Sequence, residues 1–121
     1  MQRDERAYLN DIIEACAAIE NAVADLDLAT YRASRLVRSA VEREFIIVGE
    51  AVSALSKLSP RTFARITHAW RVVDFRNQLT HAYPMVDDAV VWLIAEHDVP
   101  VLRAECAELL SEGHEGDAQT E

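Results

Sequence analysis

The 121-residue sequence is poor in the residues that irregular or cross-linked folds depend on, with three glycines, three prolines and two cysteines. So few turn formers leave little room for a fold of many short strands and tight turns. Cys16 and Cys106 lie far apart, each among apolar neighbours, so both read as buried reduced thiols without chemistry. Long apolar runs are missing too: none approaches the roughly 20 residues that would span a bilayer. Met1 to Arg6 is mostly polar and leads into an amphipathic segment, which is not a signal-peptide pattern, so the expected location is the cytoplasm, away from membranes. None of His68, His81, His97 and His114 has a Glu three residues earlier, and no Cys/His pair has zinc-finger spacing. No metal site is expected.

What is present is half hydrophobic and dominated by Ala, Leu, Glu and Arg, the composition of packed helices. At this length one domain is the default. The expected fold class is all-α, an antiparallel bundle of four or five helices spanning 1–112, with 113–121 an acidic, disordered tail. The net charge of −9 is unevenly placed: Asp87 to Glu121 holds ten acids and one base, Arg103, while Met1 to Val86 is neutral. A local basic site in the first two thirds is therefore compatible with an acidic chain.

Tyr8, Ile12, Ala15, Ile19, Ala22, Val23 and Leu26 recur at three- and four-residue steps and predict a helix up to about Asp27. A second, from an N-cap at Thr30 to Leu58, carries Val37, Val41, Phe45, Val48, Val52 and Leu55. Ser59-Pro60 opens a short third helix, and a fourth runs from about His68 to Tyr83. A fifth starts at Asp87 or Asp88, with a restart or kink at Asp98 and Pro100. Around Gly49 the second helix is apolar on more than one face. Two explanations stand: a subunit interface, hence a homodimer, or a close helix crossing within one subunit. Glu50 could reach Arg76 or form an interfacial ion pair.

The stretch "DFRNQLTHAYP", Asp74 to Pro84, departs from this pattern. An inward stripe started by Trp70 and Val73 continues onto Asn77, Thr80 and His81, and polar groups facing a core need a reason. Asn77 and His81 share a face, as do Arg76 and Thr80, so Asn77 could orient the imidazole. Arg76 and His81 are about 140° apart on an ideal helix, so one straight helix cannot aim both at one small target. Pro84 disfavours helical geometry at Tyr83, which would let His81 swing; pairing of two subunits is the other solution. A histidine that moves protons beside a permanent guanidinium suits metal-free phosphodiester cleavage. The bland alternative has His81 capping the helix, Arg76 in an ion pair and Tyr83 packing.

Arg76-Asn77-Gln78-Leu79-Thr80-His81-Ala82-Tyr83 resembles the R-x-x-x-x-H-x-Y motif of the HEPN superfamily, and "IIVGEA", Ile46 to Ala51, resembles a second signature of its HepT branch. The similarity continues through "VDDAVVWLIAEHDVPVL" and covers nearly the whole chain apart from the tail. The resemblance implies a homodimeric helical toxin acting as a metal-independent RNase, with its motifs near the dimer cleft. It implies an antitoxin partner of the minimal nucleotidyltransferase type, which in some members transfers AMP from ATP to the motif tyrosine. ATP would serve only that partner, and this chain would need no cofactor. By position, Arg76 and His81 would be catalytic, Asn77 and Thr80 supporting, and Tyr83 the AMP acceptor. The RNA substrate, tRNA or mRNA, is not specified.

Arg32, Arg35 and Arg43 fall within about 80° of each other on one helical wheel, with no acid three or four residues away. They could hold RNA phosphates, form a solvated face or contact a partner. Arg38 with Glu42 has the spacing of an ordinary ion pair. Two other functions remain open beside the RNase: a non-catalytic subunit that binds a nucleotidyltransferase or presents nucleotide to it, and a purely structural dimer.

Overall fold

The computed structural model of the chain describes residues 3–81, 84 and 86–120, with side chains described as far as Glu112. The described residues are almost all helical and contain no strand, so the chain is all-α as its composition predicts. The tail expected over 113–121 falls where side chains lie outside the described residues.

Helix α1 (Glu5–Val23) begins where extended Asp4 accepts the Ala7 N–H at 3.0 Å, satisfying one of the free donors of the first turn. Its stripe of Leu9, Ile12, Cys16, Ile19 and Val23 is buried. Two boundaries differ from the sequence expectation. α1 stops at Val23, and Asp27 caps a separate short helix, α2 (Leu28–Ala33), by accepting the Thr30 N–H at 2.8 Å. Thr30 is therefore inside α2 and caps nothing. Ser34 then turns extended, φ −104° and ψ 99°, and its hydroxyl accepts the Val37 N–H at 3.2 Å to start α3 (Arg35–Leu58). The long helix read from Thr30 is thus broken at Ser34, where a side chain competes for backbone hydrogen bonds.

α3 buries Val41, Phe45, Val48, Val52 and Leu55, the stripe its periodicity predicts. α4 (Pro60–Phe63) starts on proline, as expected, but the Ser59 hydroxyl donates to Thr62 Oγ1 at 3.0 Å in place of capping an N–H. Thr62 donates on to Glu5 Oε2 at 3.1 Å and so ties α4 to the start of α1. After α5 (Ala69–His81), Asp87 caps α6 (Asp88–Leu93) through the Ala89 N–H at 2.9 Å. A π-helical turn, Ile94–Asp98, leads into α7 (Val99–Thr120). Pro100 lacks an N–H and its ring crowds the carbonyl four residues back, so the chain passes it by widening the preceding turn. The Val99 N–H reaches back five residues to the Ile94 carbonyl.

α1 lies between α3 and α7, and α3 lies between α1 and α5. α5 is fastened mainly to α3, with Phe45 and Phe75 meeting edge to face at 5.1 Å between ring centroids. α2 and α6 close one end, where buried Tyr31 and Trp92 lie 5.5 Å apart. No helix among the described residues is long and apolar enough to cross a membrane.

The inward face of α5 is not the one expected. Ala69, Val72, Phe75 and Leu79 are buried with Val73, whereas Trp70 is 62% exposed and Asn77, Thr80 and His81 are exposed. The apolar steps Val72, Phe75 and Leu79 define the core stripe, and the polar run lies on the solvent side of the helix. The core does not turn polar.

Candidate active site

Gly49, Glu50, Arg76 and Asn77 meet where α5 crosses α3. Gly49 is buried there, and a Cβ built on it would stand 2.2 Å from Arg76 Cβ and 2.6 Å from Arg76 Cγ. Of the two explanations open for Gly49, a close crossing within the subunit is the one the structure contains. The missing side chain is what lets the root of Arg76 lie against α3.

From that root the guanidinium turns outward and is held on two sides. Nη1 donates to Asn77 Oδ1 at 2.9 Å, and Nη2 donates to Glu50 Oε1 at 3.2 Å. The Arg76–Glu50 pair is therefore intramolecular, between adjacent helices. Nε is buried without a hydrogen-bond partner. Of the five donors of a guanidinium, two are engaged and the Nε–H is enclosed, which leaves the second N–H of each Nη for an anion.

Asn77 serves Arg76 in place of the imidazole: its carbonyl oxygen is the acceptor for Nη1, and no hydrogen bond joins it to His81 among the described residues. The Thr80 hydroxyl bonds back to the carbonyls of Arg76 and Asn77, both at 3.2 Å, so Thr80 secures the last turn of α5. His81 is the final residue of that helix and is exposed. Tyr83 lies outside the described residues.

The arginines read as one track do not share a helix. Arg32 is on α2, and Arg35 and Arg43 are on α3 beyond the Ser34 break, so their common wheel position does not hold. All three are exposed, and none is in an ion pair among the described residues. Arg38 leaves its Nε buried without a hydrogen-bond partner. Cys16 and Cys106 are buried and free, and burial pushes both thiols up to about 12. That suppresses the reactive thiolate. No three His, Cys, Asp or Glu side chains among the described residues come together as a metal-binding group.

Two features of this site escape the sequence pattern. The Glu50 partner of Arg76 is one of two options in the sequence, because the distance between residues 26 apart depends on the helix crossing. The outward position of Trp70 is legible only by noticing that Val72, Phe75 and Leu79 make a competing stripe, and that Trp70 shares its own face with Asn77 and His81.

Comparison with known proteins agrees on one family. The sequence model of the family described as "Ribonuclease HepT-like" matches residues 12–109. The "Probable ribonuclease HepT" of Thermococcus cleftensis is 33% identical over 112 residues, which cover 90% of this chain and 98% of that protein. The "Putative RNase MJ1380" of Methanocaldococcus jannaschii is 30% identical over 105 residues, 86% of this chain and 94% of that protein. No solved structure matches.

Proposed function

The chain belongs to the ribonuclease HepT-like family, and we propose that it is a metal-independent RNase in which His81 moves the proton and Arg76 stabilises the transition state. The observation that carries this is the state of Arg76. It is pinned at the Gly49 crossing by Glu50 and Asn77 with donors to spare, on the helix that presents His81 to solvent.

In the proposed step the His81 imidazole takes the proton of the ribose 2′-hydroxyl, and the oxygen attacks the adjacent phosphorus. The bond from phosphorus to the 5′-oxygen breaks, and the leaving oxygen takes up a proton from an imidazolium or from water. The products are a 2′,3′-cyclic phosphate and a 5′-hydroxyl end. Arg76 meets the extra negative charge on the phosphorane-like transition state, where each positioned donor contributes most. The two side chains are five residues apart, about 7.5 Å along the axis and 140° around it. A homodimer that sets two motif segments side by side resolves this, since each phosphate could then meet an arginine and a histidine on different copies. Exposed Arg32, Arg35 and Arg43 add phosphate contacts along α2 and α3.

The test is cleavage of a total RNA pool with EDTA present, by the wild type and by His81→Ala. Cutting by the wild type alone, with cyclic phosphate or 3′-phosphate ends, is the expected result. Intact RNA with both folded proteins, or equal cutting by both, overturns the assignment.

The same reading makes the protein the toxin of a pair whose antitoxin is a minimal nucleotidyltransferase. That partner would use ATP to place AMP on Tyr83, two residues past His81, setting bulk and negative charge where the substrate phosphate must sit. Intact-mass measurement after coexpression should show one added AMP that Tyr83→Phe abolishes. An unchanged mass in the wild type removes this mode and leaves complex formation as the antidote.

A further inference from the structure

Trp70 is the largest apolar side chain left open, at 62% exposure, and it stands on the outward face of the motif helix. The steps from Trp70 to Asn77 and His81 are seven and four residues, which keep all three within about 40° of one line along α5. Over eleven residues that line is about 16 Å long. Half-buried Phe63, at the end of α4, meets the indole at 4.9 Å between centroids and 69° between planes, backing it without covering it. Beside them opens a hollow of about 470 Å3, lined by Phe63, Ile66, Thr67, His68, Trp70 and Arg71.

Residues 59–81 carry four arginines and one acid, Asp74, but acids of other elements meet three of them: Arg65 pairs with Glu112, Arg71 with Asp98 and Arg76 with Glu50, and Glu105 accepts the Thr67 N–H at the edge of the hollow. Arg61 is exposed and in no ion pair among the described residues. Arg71 Nε lies 3.3 Å from Asp98 Oδ2 in an ion pair without hydrogen-bond geometry, its side chain stays 58% exposed, and His68 is open. An aromatic face flanked by cationic and imidazole groups is how proteins hold single-stranded nucleic acid: bases stack on the ring while phosphates track the charges.

We propose that Trp70, backed by Phe63, is a stacking platform for an unpaired base of the RNA strand, a few nucleotides from the phosphate held at His81. This rests on the RNase reading above and adds a substrate requirement to it. The strand must be single-stranded and long enough to reach from His81 to the hollow, and base identity matters little because every base offers a π face.

The experiment titrates short oligoadenylate into the full chain carrying His81→Ala, which binds without turnover, and follows tryptophan emission. Trp92 is 8% exposed, so the signal open to a stacked base is that of Trp70. Saturable quenching is expected. Adding Trp70→Ala should abolish it and weaken binding by about 5- to 150-fold, while Trp70→Phe should abolish the quenching and keep much of the affinity. In the chain with His81 intact, Trp70→Ala should raise KM and leave kcat within a few fold. Shortening the RNA on one side of the cut should raise KM for the wild type and have little effect on Trp70→Ala.

Binding with unchanged emission and equal affinity for Trp70→Ala overturns the platform and leaves the RNase reading standing. So does a Trp70→Ala protein that falls to a monomer in sedimentation, since Trp70 would then be a contact between copies. If the wild type neither binds nor cuts any RNA, the RNase reading itself fails and takes the platform with it.

Discussion

α1 and α5 have comparable apolar stripes, but the chain uses them differently. α1 is packed between α3 and α7, with Ile12, Cys16 and Ile19 wholly enclosed. α5 leans chiefly on α3, and its other side presents Trp70, Asp74, Asn77 and His81 to solvent. A helix held on two sides, as α1 is, has most of its surface committed to the fold. A helix held along one side can carry the fold on that face and chemistry on the other. Arg76 sits at the edge between the two: its root is buried against Gly49 and its guanidinium is turned outward.

The sharpest way to break this contrast is one truncation on each helix. Ile12→Ala should cost about 2–5 kcal/mol in denaturant unfolding, from lost burial plus a cavity. His81→Ala should stay within about 0.5 kcal/mol of the wild type while lowering RNA cleavage by about 100- to 10,000-fold. A large loss of stability from His81→Ala would put α5 in the same class as α1.

Gly49→Ala probes the boundary. The added methyl meets the base of the Arg76 side chain, which cannot swing clear, so α3 and α5 must part. Overpacking of this kind costs about 1–3 kcal/mol, offset by up to about 1 kcal/mol from the better helix propensity of alanine. A lower unfolding midpoint together with weaker cleavage is expected, because Arg76 moves with the helix.

The two thiols sharpen the contrast through pH. Unfolded cysteine ionises near 9, whereas burial holds Cys16 and Cys106 up at about 12. The folded state thus keeps protons that the unfolded chain has lost. The thiols' contribution is fully present below pH 9 and disappears as pH rises toward 12. Denaturation followed between pH 8 and 11 should show stability falling, with a shallower slope in Cys16→Ala. Cleavage should follow this only through unfolding.

The smallest effect belongs to Glu50→Gln. The Arg76 pair is partly exposed, so its loss should change stability by about 0–1 kcal/mol. Cleavage should fall several-fold, because the Glu50 tether of the guanidinium is reduced from a charged to a neutral acceptor. A rise in cleavage would mean that Glu50 restrains Arg76 and does not position it.

Much of this is legible in the residues. The stripe of α3 from Val41 to Leu55, the proline start of α4 and the Asp87 cap of α6 follow from local rules of periodicity and capping. The disturbance at Pro100 is legible as well, although its form as a π-helical turn over Ile94–Asp98 is not. The break at Ser34 is harder to see, because Asp27, Thr30 and Ser34 are all good caps within eight residues. Which of them stops a helix depends on how α2 packs against α3 and α6. The face of α5 was ambiguous for a related reason. A stripe through Trp70 and Val73 and one through Val72, Phe75 and Leu79 are both apolar at their start, and α3 selects the second.

By itself the sequence determined the all-helical class, the single helix that carries Arg76, Asn77, Thr80 and His81, and the place of the acidic charge after Asp87. These depend on composition and on spacings of a few residues, where backbone geometry leaves little choice. Only the tertiary structure decided that Gly49 lies against Arg76, that Glu50 is its partner, and that Trp70 faces out beside Phe63. Those facts depend on distances between segments 7 to 27 residues apart, which are set by how whole helices pack and not by any local preference.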